Sequence, residues 1–77
     1  MAALKDAIAL LEQGEWEAAH GIVQKDGSAL GSWAHGIVHI LEGDLRNAGY
    51  WYRRAGRELP DEVDVEAEVA ALKAEAG

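Results

Sequence analysis

Three histidines and a glutamate are the residues of this sequence best suited to chemistry. His35, His39 and Glu42 stand at i, i+4 and i+7, so a helix through them places all three on one face. His20 and Gln24 share a face of the preceding helical segment in the same way. If those two helices pack antiparallel about the turn at residues 26–29, His20 comes opposite the stretch from Gly36 to His39 and the imidazoles converge. Two histidines four apart with a carboxylate beside them suit a divalent metal ion, and the pattern marks His35, His39 and Glu42 as candidate ligands. The same residues, with Asn47 and Tyr52 at the edge, also suit a small-molecule pocket. A third account needs no ligand: the histidines are buried and satisfied by Glu42, Asn47 and Tyr52, because buried polar groups need partners before they need a function.

A second group lies on the segment that follows. Arg46, Arg53 and Arg57 fall at i, i+7 and i+11 with Arg54 beside them, which makes a basic stripe along one helix. The stripe either balances the acidic C-terminal segment or receives an acidic peptide, a phosphate or a carboxylate. The run Tyr50-Trp51-Tyr52 covers more than one face of that helix. Tyr52 belongs inward, and an exposed Tyr50 or Trp51 beside arginine suits an interaction hot spot.

Other chemistry is missing from the chain. It has no cysteine, no glycine-rich phosphate loop and no nucleophile elbow, and its two serines stand beside glycines in residues 27–32. Acyl and phosphoryl transfer by their usual machinery are therefore disfavoured, and the balance leans away from an enzyme. No cofactor is expected, a divalent metal at the histidines being the alternative.

These side chains must be positioned by helices. The 77 residues are nearly half hydrophobic, rich in alanine, and contain one proline, a composition that favours an all-α chain forming one domain with one core. Leu4, Ala7, Ile8 and Leu11 mark a first helix over residues 2–13, ended by Gly14. Ala19, Ile22 and Val23 mark a second over 15–25, and Asp26-Gly27-Ser28 is turn chemistry. A third runs over about 30–42, stopped by Gly43, and a fourth from Asp44, whose carboxylate can cap the Asn47 amide, to about Glu58. Pro60 bars continuation. A fifth begins near Asp61 and carries Val65, Val69 and Leu72 as a narrow apolar stripe. Gly49 and Gly56 are placed to make room for it on the fourth helix.

The net charge is −7, and residues from Glu58 onward supply seven acids against the single base Lys73. That balance disfavours a nucleic-acid partner, whose affinity rests on clustered Lys and Arg. No segment has the length of apolar sequence that spans a bilayer, and the N-terminus lacks the pattern of a secretory signal, so the expectation is a cytoplasmic protein without a membrane partner.

The sequence also echoes itself. Residues 14–19, Gly-Glu-Trp-Glu-Ala-Ala, match residues 43–48, Gly-Asp-Leu-Arg-Asn-Ala, at an offset of 29, the spacing of repeated helical hairpins. The stretch Trp33, Gly36, His39, Gly43, Ala48, Tyr52, Ala55 and Pro60 resembles one tetratricopeptide repeat. Gly36-x2-His39 stands at its G-x2-Y, Ala48-x3-Tyr52 at its A-x3-F, and Pro60 at its closing proline. Residues 4–25 resemble a worn first repeat. The departures are Trp33, one residue nearer the glycine than the pattern has it, and His35 in place of leucine. The resemblance implies two antiparallel hairpins, about 2–25 and 30–59, followed by an acidic capping helix over about 61–76. Small residues at Gly36 and Ala48, and at Ala7 and Ala19, would let paired helices approach closely.

Trp16-x2-Ala19-His20, followed by Glu42-Gly43-Asp44-x2-Asn47-Ala48-x-Tyr50-Trp51-Tyr52-Arg53-Arg54-Ala55-Gly56, further resembles a group of small uncharacterised proteins. Those proteins tend to carry arginine where this chain has Ile40. This second resemblance implies a fold and no activity. Hairpin repeats mostly present surfaces to other proteins, so the leading expectation is a non-enzymatic interaction module. The alternative is a metal- or small-molecule-binding protein centred on the histidines. Two hairpins fall short of the three repeats that usually make a stable stack, which adds the expectation of a homo-oligomer, most simply a dimer.

Overall fold

A computed structural model describes residues 3–77 as five helices: α1 (Leu4–Glu12), α2 (Trp16–Val23), α3 (Ala29–Glu42), α4 (Leu45–Arg54) and α5 (Val65–Ala76). The start expected at Ala2 lies outside the described residues. No helix among the described residues is long and apolar enough to cross a membrane.

The helix ends follow from local chemistry. Gly14, Gly43 and Gly56 adopt φ of 76°, 93° and 75°, the left-handed region that glycine enters without a Cβ penalty. At each, a pair of backbone bonds closes the preceding helix: Gly14 N–H to the Leu11 carbonyl and Glu15 N–H to that of Leu10, then Gly43 to Ile40 with Asp44 to His39, then Gly56 to Arg53 with Arg57 to Tyr52. The last pair ends α4 at Arg54, earlier than the expected Glu58. The N-termini of α3, α4 and α5 are capped by side chains. Ser28 Oγ accepts from the Gly31 amide, Asp44 from Asn47 and Asp64 from Ala67. The cap at Asp64 sets the start of α5 at Val65 and corrects the expected start near Asp61, whose carboxylate instead belongs to the connection between α4 and α5.

Packing centres on α3, which touches each of the other four helices. Its residues from Gly31 to His39 are all buried, so it has no solvated face over that length. Helices α1 and α2 pack together, as do α3 and α4, and α2 lies against α3. Small residues allow the closest approaches. Ala7 and Ala19 are fully buried in the first pair, and Gly36 lies so close to α4 that a Cβ there would overlap the Tyr52 ring. The core comprises Ile8, Leu11, Val23, Trp33, Ile37, Val38, Tyr52, Val69 and Leu72, with the alanines between them.

The position of α5 departs from expectation. It packs on α1 and α3 and makes no comparable contact with α4. Gly49 and Gly56 therefore do not make room for it: a Cβ at Gly49 would meet only the Arg53 guanidinium at 3.5 Å, and one at Gly56 would meet nothing within 4 Å.

Candidate functional site

Helix α2 supplies His20, and α3 supplies His35 and His39 from adjacent turns of one face. Ring centroids are 4.9 Å apart for His20 and His35, 5.6 Å for His20 and His39, and 5.0 Å for His35 and His39. The i, i+4 spacing stacks the two α3 rings at an interplanar angle of 24°, and His20 meets both edge-on. One nitrogen from each imidazole lies within 4.8 Å of the others. His35 and His39 are buried and His20 half-buried.

The three rings differ in what holds them. His39 Nδ1 lies 2.8 Å from Glu42 Oε1, so the carboxylate fixes that ring and leaves Nε2 facing elsewhere. His35 stacks on Trp51 of α4, with centroids 3.8 Å apart and planes within 9°. Its Nδ1 is buried without a hydrogen-bond partner. Burial lowers the His35 pKa to about 4, with His20, His39 and Arg54 adding to the shift, so the ring is neutral at pH 7.

Trp51 links this cluster to the surface. Tyr50 meets its edge at 5.1 Å, and Arg54 lies 5.0 Å from the Trp51 centroid and 5.9 Å from that of Tyr50, donating from Nη1 to the Tyr50 hydroxyl at 3.2 Å. Beyond it, Asp44, Arg46, Asn47, Tyr50 and Arg53 line a shallow depression on the outward side of α4. Among the described residues, Leu45 and Tyr50 are the exposed large hydrophobic ones, at 56% and 45%.

Several sequence-derived positions are corrected here. The Tyr52 hydroxyl is not a hydrogen-bond partner of the histidines: it donates to Glu68 of α5, which also accepts from Trp33 Nε1 at 3.2 Å. Asn47 acts through its backbone amide, bonded to Asp44, and lines the α4 depression. Glu42 contacts the cluster through His39, and the converging nitrogen set is His20, His35 and His39 rather than His35, His39 and Glu42. The arginines do not act as one stripe against the acidic helix. Arg57 alone reaches α5, pairing with Glu75 at 3.3 Å while its guanidinium carbon lies 3.5 Å over the Trp33 ring. Arg46, Arg53 and Arg54 make no ion pair among the described residues.

Glu68 escaped the sequence reading, being one of several acids on a weakly amphipathic helix. Burial together with the Glu68 hydrogen bond and charge raises the Tyr52 pKa well beyond the usual phenol range, which keeps the O–H in place as a donor. Replacing Glu68 with leucine removes the acceptor from two buried donors and should destabilise the fold by roughly 1–2 kcal/mol, whereas glutamine keeps an acceptor oxygen and should recover most of that. Urea unfolding of the two variants checks this, and equal losses would contradict it.

Comparison of the chain with protein-family models, curated proteins and solved structures finds no match.

Proposed function

We propose that the chain is a non-enzymatic interaction module whose outward α4 face receives an acidic segment of a partner protein. The observation that carries this reading is the uncovered state of that face. The acidic helix expected to neutralise it lies instead on α1 and α3. Arg46 and Arg53 thus stand without ion-pair partners among the described residues, beside exposed Leu45 and Tyr50. Arginine and tyrosine around a small apolar patch are the side chains that most often dominate binding energy, since they combine large contact area with directional hydrogen bonds. Arg54 adds to this by holding Tyr50 through its hydroxyl, which lowers the entropy lost when a partner covers the ring.

The face is chemically selective. Its guanidinium groups favour carboxylates, and Leu45 and Tyr50 favour one or two apolar side chains between them. A second copy of the chain, rich in acids after Glu58, meets that description too. Sedimentation of the protein alone separates a second copy from a foreign partner.

Selection of displayed peptides, each about twelve residues long, against the full chain tests the reading. Enriched peptides should combine Asp or Glu with Leu, Phe or Trp, and their binding should weaken as salt rises because these charges are exposed. Arg53→Glu should weaken the selected peptides by about tenfold or more, roughly 1.4 kcal/mol. Peptides without acidic enrichment, or unchanged binding to Arg53→Glu, would remove α4 from consideration.

A further inference from the structure

We propose that His20, His35 and His39 form a three-imidazole site for one divalent transition-metal ion, zinc by preference, with Glu42 orienting His39 from outside the ligand set. Two independent observations meet here. The first is convergence: two adjacent helices bring one nitrogen from each of three imidazoles within 4.8 Å of one another. The second is His35 Nδ1, buried without a hydrogen-bond partner in a residue only 5% exposed. A native fold seldom leaves such an atom alone, and coordination to a metal ion is one of the few roles that accounts for it.

The chemistry of the donors selects the metal. Three neutral imidazoles without thiolate or carboxylate suit zinc, copper, nickel and cobalt and do not suit calcium or magnesium, which take oxygen ligands. At zinc–nitrogen distances of about 2.0–2.1 Å in a tetrahedron, ligand nitrogens stand about 3.4 Å apart. The three nitrogens lie within 4.8 Å of one another, a range that contains this spacing, and ring rotations bring them to it. His20, the half-buried member, has the most freedom to make them. With three protein ligands the fourth position stays open to water or an exogenous ligand, as in zinc sites that keep an exchangeable position.

Glu42 occupies the role of an outer partner. A metal-ligating histidine donates its other ring N–H to a carboxylate or carbonyl, which fixes its tautomer and raises the basicity of the ligating nitrogen. The 2.8 Å contact from His39 Nδ1 to Glu42 has that form and leaves Nε2 as the nitrogen for the metal. The stack on Trp51 restrains the His35 ring plane in the same sense. A second grouping, His39 with Glu42 and Asp44, is weaker. Its carboxylates are exposed, Glu42 is engaged by His39, and Asp44 caps α4.

The test uses the full chain freed of metal by chelator and titrated with zinc by calorimetry and with cobalt by visible absorption. One ion per chain should bind with a dissociation constant of micromolar or below, cobalt should show the intense d–d bands of a four-coordinate ion, and the Hε1 proton resonances of all three histidines should shift with zinc. His20→Gln, at the half-buried position and so least disruptive to the fold, should weaken zinc by roughly 100-fold or more, and Glu42→Gln by about 10- to 100-fold while leaving the stoichiometry at one. Binding in the millimolar range, unchanged affinity in folded His20→Gln, or cobalt spectra of a six-coordinate hydrated ion would overturn the proposal.

Discussion

Valine at Gly36 should cost the domain roughly 3 kcal/mol or more, and alanine there roughly 2 kcal/mol, against a total that for a single core of this size is about 3–5 kcal/mol. The sign is informative because alanine is the better helix former by about 1 kcal/mol and would stabilise an unobstructed position. Gly36 is obstructed. A Cβ there would overlap the Tyr52 ring, lie 2.7 Å from Tyr52 Cε1 and stand 3.2 Å from the Ala48 carbonyl oxygen. The ring cannot yield, since it is buried and its hydroxyl is held by Glu68. Helices α3 and α4 would have to move apart along the most extensive contact in the fold. Gly21 provides the control. It lies inside α2, and a Cβ added there would meet nothing within 4 Å, so Gly21→Ala should stabilise by about 0.5–1 kcal/mol. Urea midpoints of the two alanine variants should move in opposite directions, and a shared direction would refute the account.

Acid should expose the second large effect. In the folded protein His35 has a pKa of about 4 against 6.5 for the free side chain, so between these values the unfolded chain binds more protons than the native one. Stability then rises with pH across this window: the contribution is complete above about pH 6.5 and is lost progressively down to about pH 4. Its size is of the order of 2 kcal/mol at pH 4.5. The groups facing the ring are His20 from α2, His39 with its Glu42 partner from α3, and Trp51 and Arg54 from α4. None of them supplies a negative charge in contact with His35 that would welcome its proton. His35→Leu removes both the titration and the unpartnered nitrogen, and should leave the metal-free protein at least as stable at pH 7 and more stable than wild type at pH 5. The difference between the two proteins is the quantity to follow, because fourteen acids also titrate as the pH falls. Parallel curves for wild type and His35→Leu would show that His35 does not carry the effect.

The fold class was legible because helical periodicity, glycine stops and short polar caps all act within a few residues. Gly14, Gly43, Asp44 and Ser28 do locally what their types predict. The convergence of the histidines was legible too, since His35 and His39 share a face by helical spacing and only the pairing of α2 with α3 had to be supplied. Long-range choices were harder to read. The acidic helix goes to α1 and α3 because Val69 and Leu72 find the core there and Glu68 finds the Trp33 and Tyr52 donors. Charge alone pointed to the arginines of α4, but exposed ion pairs are worth too little to outweigh those contacts. The hydrogen-bond partner of Tyr52 was hidden for the same reason, lying sixteen residues away on a helix whose docking no local pattern encodes.

The way α3 is wrapped implies an order of loosening. Contacts of α3 with α2 and α4 join neighbours in sequence, whereas those of α5 with α1 reach across the chain, Lys73 Nζ lying 3.1 Å from Glu12 Oε2 over 61 positions. Closing that span carries the greater loop-closure entropy, and the contacts that repay it are few: two buried side chains, one shared carboxylate and exposed ion pairs. Helix α5 is therefore the natural sub-global opening unit, a foldon that can detach while the other four helices hold, and its detachment bares Trp33 along the spine of the domain.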